Sequence, residues 1–306
     1  MLRYLGGRLL QAMIAVLGVL TIVFVVMRLS GDPTLLLVPE GSPPEAVAAL
    51  RAELGFDRPI LVQYVDYLHD LLRLDFGVSV VQHLPAYDIV AARIPYTVLL
   101  ATGALAVALG IGIPAGIVMA VWPAGPLALG LGAVVLAGQS MPTFLSGILL
   151  ILLFGVVLGW LPTSGAGDVF ALILPSIALG ALSMSTFARM TRTAIVDQLD
   201  NDYVRAARAR GLSRLGAVFR HVLRNAAIPV VSVAALEIGN LLAGAVIVET
   251  VFAWPGIGLL AIQSIQSRDF LVVQLVVLFI SVVHVAVSLV ADLVYAVIDP
   301  RIRLLR

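Results

Sequence analysis

Cysteine and lysine are both absent from this sequence; apart from its four histidines, every basic side chain is an arginine. Without cysteine there can be no disulfide and no thiolate metal site. Without lysine there is no nucleotide-binding loop of the G-x-x-x-x-G-K-[ST] type, because the lysine of that loop contacts the phosphates. Charge is scarce too, at 12% of residues, while 61% are hydrophobic. A chain of 306 residues this apolar falls in the membrane class. Alternating strand-length segments of a transmembrane barrel are missing; the apolar runs are continuous and long, so the spans are helices. No repeat period of about 20–50 residues recurs, which argues against a solenoid. The histidines (His69, His83, His221, His284) are scattered without metal-ligand spacing, so no metal site and no catalytic constellation is read. No aromatic platform accompanies the arginines, which argues against nucleic acid as a partner.

Arg3 and Arg8 precede an apolar run from about Leu9 to Val26. A signal peptide has this outline, but no A-x-A cleavage site follows. Arg28 and Gly31-Asp32-Pro33 end the run instead. Residues 1–29 therefore read as an N-terminal tail and an uncleaved first transmembrane helix with a cytoplasmic N-terminus. Residues 30–95 form a polar, extracytoplasmic interruption with nine acids against four arginines, net −5. Ser42-Pro43-Pro44-Glu45 has the form of a capping box with proline at the first helical position, predicting a helix through Leu54. A second helix, from about Ile60 to Leu74, carries Val62, Val65, Leu68 and Leu72 at three- to four-residue spacing. It is amphipathic, and either lies on the membrane surface or packs on the outer ends of the spans.

Residues 96–306 read as a five-helix transmembrane core. Its apolar segments run from about Tyr96 to Val121, Leu129 to Leu158, Phe170 to Ala188, Ala226 to Val248 and Leu271 to Val297. Each is near or above the ~20 residues a helix needs to cross a bilayer. In the third span, Gln139-Ser140-Met141-Pro142-Thr143-Phe144 contains a proline that frees a backbone carbonyl and kinks the helix. Gln139 and Pro142 then either line a cavity or make a polar helix–helix contact. Glu237 lies near the middle of the fifth span; His284, Ser288 and Asp292 lie in the sixth. Ionisable groups at that depth face protein or water. Glu237 is assigned to the translocation path, and His284 and Asp292 to contacts inside the bundle or with a second subunit.

Residues 189–224 carry eight arginines against three acids, net +5. The arginine excess places this loop in the cytoplasm. At its centre stands Asp200 to Leu212, D-N-D-Y-V-R-A-A-R-A-R-G-L. Asp202 caps a short helix from Tyr203 to Arg210, Gly211 suits the left-handed residue past its end, and Ser213 caps a second helix running toward Arg224. Ala206, Ala207 and Ala209 offer a small-residue face ringed by Arg205, Arg208 and Arg210. The elbow is either a docking element for a soluble partner or a solvated loop that fixes topology. Parity gives six spans with both termini cytoplasmic.

The A-A-x-x-x-G run of Ala206, Ala207 and Gly211 resembles the EAA loop of ABC importer permeases. The flanks resemble the dipeptide/oligopeptide/nickel branch: Leu54 to Pro59, Leu74-Asp75-Phe76-Gly77, Glu249 to Gly258, Arg268-Asp269, and the tail Asp299-Pro300-Arg301-Ile302-Arg303. Two positions depart from the general pattern. Its acidic position is Arg205 here, and its later I-x-L-P is His221-Val222-Leu223-Arg224. The resemblance covers nearly the whole chain. It implies an all-α integral membrane protein of the type I ABC importer permease fold, in a bacterial inner membrane. The implied partners are a second homologous permease as a heterodimer, two cytoplasmic ATPases and an extracytoplasmic binding protein. ATP and Mg are then used by the ATPases, and this chain, not itself an enzyme, binds no cofactor. The implied ATPase contact set is Asp202, Tyr203, Arg205, Ala206, Ala207, Arg208, Arg210, Gly211 and Leu212. Asp57, Arg58, Phe252, Trp254, Pro255 and Gly256 are assigned to an outer gate or to the binding-protein contact. The expected cargo is a di- or oligopeptide, with nickel or glutathione as alternatives. A proton-coupled secondary transporter using Glu237 and His284 is the rival reading; it commonly shows an inverted repeat, and none is visible. A membrane scaffold that transports nothing is a third.

Overall fold

The structure, a computed structural model, describes residues 2–29, 34, 38, 43–53 and 55–298. Ser42, Leu54, the Gly31-Asp32-Pro33 stop and the 299–303 tail motif lie outside the described residues. The described chain is helical, and its one β-type pairing is an isolated bridge between Val78 and Pro85. In order, the helices are α1 (Leu2–Leu29), α2 (Pro44–Glu53), α3 (Ile60–Leu72), α4 (Ala86–Ala91), α5 (Ile94–Val121), α6 (Pro126–Ser140), α7 (Thr143–Leu150), α8 (Ile173–Leu199), α9 (Asp202–Ala209), α10 (Arg214–Ala217), α11 (Leu223–Val251), α12 (Ile257–Gln266) and α13 (Phe270–Ile298). A wide-turn stretch, Ile151–Val157, extends α7, another, Val218–Val222, joins α10 to α11, and a tight turn, Val169–Leu172, leads into α8.

Among the described residues, four stretches are long and apolar enough to cross a membrane: Gly6–Leu29, Ala86–Val121, Val169–Leu199 and Phe270–Ala291. The α6–α7 pair makes a fifth if it is taken as one span. The kink expected in the 129–158 segment is present as a break between two helices. The chain breaks at Met141-Pro142 and bends by 118°. Pro142 cannot donate to the helix before it, and Met141 takes an extended ψ of 131° as a residue preceding proline does. At about 1.5 Å per residue, the 29-residue α11 measures about 43 Å, more than the ~30 Å hydrocarbon core.

Two compact units form. The first comprises Met1–Pro95 and Gly256–Val285. In it Met27 of α1 packs with Phe270 and Val273 of α13, and Ala86, Ile89 and Val90 of α4 pack with Ile257, Leu260 and Val276. The Arg28 guanidinium lies over the rings of Phe56 (4.1 Å), Phe24 (5.2 Å) and Phe270 (5.9 Å), a cation–π arrangement at the end of α1. The Asp269 carboxylate accepts from the Ser79 hydroxyl, which in turn accepts from the Gln82 N–H (2.9 Å), fixing the 77–85 loop on the start of α13. The sequence reading treats 249–269 as a connection; α12 inside it is a further helix, signalled by buried Ile257 and Leu260 at three-residue spacing.

The second unit, Tyr96–Pro255 with Ala286–Arg306, holds the bundle core. Small residues recur every four positions on α5: Ala104, Ala108, Gly112, Gly116 and Ala120 are all buried. This is the small-xxx-small pattern by which helices in lipid approach closely and gain dispersion contact. α8 fills the seam. A Cβ on Gly116 would stand 2.5 Å from the Ala188 carbonyl oxygen, and one on Gly112 2.6 Å from that of Met184. A second layer joins α8 to α11 through Leu174, Ala178, Leu179, Leu241, Ala245 and Val248.

Candidate functional site

The elbow follows directly from α8. That helix does not stop near Ala188; it continues through Arg189 and Arg192 to Leu199, carrying the chain beyond the apolar segment before it turns. α9 then begins at Asp202, with Asn201 in the cap position at φ −72°, ψ 149°. The expected Asp202 cap is therefore displaced by one residue. Asp202 sits in the first turn, where a negative charge complements the helix dipole, and faces Arg205 at 3.6 Å. The end of α9 closes as the turn chemistry predicts. The Leu212 N–H donates to the Ala207 carbonyl (3.3 Å) and the Gly211 N–H to that of Arg208 (2.9 Å). These are the two bonds of a Schellman closure, with Gly211 left-handed at φ +92°. Ser213 caps the next turn, its hydroxyl accepting from the Gly216 N–H (3.1 Å). The second arm is not separate: from Arg214 the chain stays helical through Val218–Val222 into α11. The elbow is thus continuous with a core helix.

Braces hold it. The Tyr203 hydroxyl donates to Gln198 Oε1 on α8 (2.8 Å) and accepts from Asn225 Nδ2 on α11 (3.4 Å). Arg205 donates through Nε (3.2 Å) and Nη2 (2.9 Å) to the Asp200 carbonyl, closing the end of α8. Arg214 Nη2 donates to the Ala120 carbonyl at the end of α5 (3.2 Å). Val204 is 0% exposed, packed in a cluster with Ile195, Ala217, Val218 and Val222.

This geometry corrects the face read from the sequence. Ala207 is 7% exposed and points into the chain, as Val204 does three residues earlier. The outward face is Ala206, Arg208, Ala209 and Arg210, with Tyr203 partly on it and Arg205 folded back toward α8. The i, i+3 pair Val204 and Ala207 was the available signal, since residues so spaced share one side of a helix.

The left-handed residue supplies a test. A Cβ on Gly211 would meet nothing within 4 Å, so substitution acts through conformation alone. Valine at positive φ is a steric outlier, and left-handed backbone costs about 1–2 kcal/mol. Gly211→Val is expected to loosen the elbow and speed tryptic cleavage after Arg208 and Arg210 at unchanged expression, with Gly211→Asn milder because asparagine tolerates this region. Equal cleavage of Gly211→Val and the parent would show that this turn does not set the elbow.

Within the bundle, Glu237 of α11 is buried and accepts from the Ser183 hydroxyl of α8 and from Asn240 Nδ2 (3.4 Å). The arrangement satisfies both carboxylate oxygens at an α8–α11 contact. Gln139 and Pro142 are exposed at the α6–α7 break. His284 is exposed on α13, and the Asp292 side chain lies outside the described residues.

The residues assigned to an outer gate or contact separate into two groups. Phe252 and Trp254 do not offer their side chains to a partner. Both are buried, the Trp254 indole N–H donates to the Tyr96 carbonyl (2.9 Å), and the Phe252 carbonyl accepts from the Gly165 N–H (2.9 Å). Pro255 is half-buried and Gly256, which precedes α12, is buried. Asp57 and Arg58 are exposed, and Arg58 pairs with Asp66 at 3.2 Å. Arg58, Asp66 and Asp70 border a cavity of about 380 Å³ with Arg28, Tyr67 and Gln274. Burial pushes the Tyr67 hydroxyl up to about 12, with the neighbouring Tyr64 adding to the effect. No group of three or more His, Cys, Asp or Glu able to hold a metal occurs among the described residues.

Residues 112–304 match the family model described as binding-protein-dependent transport system inner membrane component, and residues 1–101 match its N-terminal companion. The glutathione transport system permease protein GsiC of Escherichia coli (strain K12) is 40% identical over 305 residues, covering 99% of each chain. Its namesake in Salmonella choleraesuis (strain SC-B67) is 41% identical over 304 residues, again 99% of each. Among solved structures, the inward-facing MetNI methionine ABC transporter superposes with a TM-score of 0.58 at 18% identity, over 70% of this chain and 98% of that one. An amino acid ABC transporter with histidines gives 0.54 at 18% identity, over 68% and 92%.

Proposed function

Since the chain belongs to the family of binding-protein-dependent transport system inner membrane components, and is thereby an ABC importer permease subunit, we propose that the α9–α10 elbow is its contact with a cytoplasmic ATPase. The observation that carries this reading is the elbow's construction. A Schellman-closed, buried-anchored turn projects Ala206, Ala209, Arg208 and Arg210 outward and runs without a break into α11. A displacement of the elbow is therefore passed to a core helix as a rigid-body movement. Two ATPases bind ATP and Mg, this chain contributes half of the path, and a second homologous permease contributes the other half, as a heterodimer.

The topology that fits is six spans, with the α6–α7 pair and α11 completing the four long stretches, and both termini cytoplasmic. The net +5 of residues 189–224 against −5 for residues 30–95 supports this orientation. Asp57 and Arg58, exposed in the extracytoplasmic region, are available to a binding protein. The names of the relatives that match end to end favour glutathione, itself a tripeptide, as the cargo to test first, with di- and oligopeptides next. A proton relay gains no support from Glu237, whose oxygens are held by Ser183 and Asn240.

The test is transport by the whole assembly. The chain, coexpressed with the permease, ATPases and binding protein encoded beside it, is purified and placed in vesicles. ATP-dependent accumulation of labelled glutathione, requiring the binding protein, is expected. Uptake by this chain alone, driven by a pH gradient, would overturn the reading.

A further inference from the structure

The α3 helix has three sides rather than two. One side packs on α1. The Tyr64 hydroxyl pairs with Thr21 Oγ1 at 2.6 Å, and the rings of Tyr64 and Tyr67 lie against Phe24 at centroid distances of 5.2 and 5.6 Å. A second side carries Gln63, Asp66, His69 and Asp70, with Asp66, His69 and Asp70 exposed. A third side is apolar and uncovered: Leu61 is 75%, Val65 63% and Leu72 84% exposed. At 100° per residue, Leu61, Leu72 and Val65 fall within one narrow sector, and the carboxylates lie on the far side of the helix from it.

The depth of the contact decides what covers the third side. Thr21 is well inside the apolar stretch Gly6–Leu29. Eight residues separate it from Leu29, about 12 Å along the helix axis. A helix hydrogen-bonded to Thr21 is therefore not above the membrane but level with its end. The same part of α1 exposes Ile22, Val25 and Val26 to its surroundings, and these are side chains of a membrane span. Beside it, α3 leaves Leu61, Val65 and Leu72 uncovered. We propose that α3 is an interfacial helix set into the lipid leaflet at the C-terminal end of α1. Leu61, Val65 and Leu72 lie among acyl chains, and Asp66 and Asp70 face water.

The arrangement follows the rule for helices that lie in the plane of a bilayer, whose apolar side sinks about 5–10 Å past the headgroups. Arg73 is exposed at the C-terminal end, where a long cationic side chain reaches back to the headgroups. With the N-terminus inside, as proposed above, the leaflet is the outer one. The lipid contact itself rests on the α1–α3 packing and holds for either orientation. In this role α3 widens the membrane footprint of α1 and fixes the height of the cavity that Asp66 and Tyr67 border.

The absence of cysteine makes the test direct, since each introduced cysteine is unique. Nitroxide labels are placed at Leu61→Cys, Val65→Cys, Leu72→Cys, Asp66→Cys and Asp70→Cys, and the full assembly is reconstituted in phosphatidylcholine vesicles. Power-saturation electron paramagnetic resonance then compares collision with oxygen, which concentrates in lipid, and with a water-soluble nickel chelate. Oxygen is expected to dominate at 61, 65 and 72, and the chelate at 66 and 70. Dominance of the chelate at 61, 65 and 72 would put that side in water and overturn the proposal. Protection of those three sites from both reagents would show a protein partner covering them and would overturn it equally.

Discussion

Val204→Asp is expected to give a permease that inserts and assembles but no longer links ATP hydrolysis to uptake. Val204 is wholly buried beneath the elbow, among Ile195, Ala217, Val218 and Val222. None of these can pair with a carboxylate. An unpaired buried charge costs several kcal/mol, more than a two-turn helix held by a few braces can absorb. The elbow then leaves its seat, while the α5–α8 seam is untouched. The readout is twofold. Trypsin should cut rapidly after Arg205, Arg208 or Arg210 in the variant and slowly in the parent, and vesicle uptake should fall while ATP hydrolysis persists. Val204→Ala removes only methyl groups and should be partial, at about 1–2 kcal/mol. Parental trypsin resistance together with parental uptake in Val204→Asp would mean that the buried seat is not what holds the elbow.

Gly116→Leu should be more damaging still, and earlier in the life of the protein. A Cβ there stands 2.5 Å from the Ala188 carbonyl oxygen, 2.7 Å from Thr191 Cβ and 3.1 Å from the Arg192 amide nitrogen. Two of those atoms belong to backbone and cannot rotate away. Overpacking typically costs about 1–3 kcal/mol when side chains give way; here α5 and α8 must separate, and every small residue of the seam loses contact with them. Loss of the monodisperse assembly in detergent is the expected result. Gly110→Leu is the control, since a Cβ at Gly110 meets nothing within 4 Å. It should insert and purify normally. A stable Gly116→Leu assembly would refute the seam as the basis of the bundle.

How far the sequence could be read depended on the range of the forces involved. Long apolar runs report on the bilayer residue by residue, so α5, α11 and α13 were legible within a few positions. Gly211 and Ser213 were legible because turn and cap chemistry is local. The direction of Ala207 was not, because it depends on which side of α9 finds the α8 and α11 surfaces. Arg205 was unreadable for a related reason: its partner is the Asp200 carbonyl, a backbone group with no signature in the sequence. Phe252 and Trp254 sat in a loop-like motif that suggested a surface, yet the Trp254 anchor is the Tyr96 carbonyl, 158 positions away. Pro142 announced a bend, but not one of 118°, since that angle is set by how α6 and α7 each pack on α8. The four-residue small-side-chain rhythm of α5 was visible in the sequence and went unused.

The claim that matters most is that the outward face of α9 meets an ATPase, and site-directed crosslinking in the cysteine-free chain tests it most directly. Single cysteines at Ala206 and Ala209, on the exposed face, and at Ala207, which points inward, are treated with a short homobifunctional thiol reagent in membranes containing the full assembly. Cysteines introduced over the membrane-facing surface of the ATPase serve as acceptors. Efficient crosslinks from 206 and 209, weak ones from 207, and yields that change when ATP is added are the predicted result. No crosslink from 206 or 209 to any ATPase position, in an assembly that transports normally, would contradict the account.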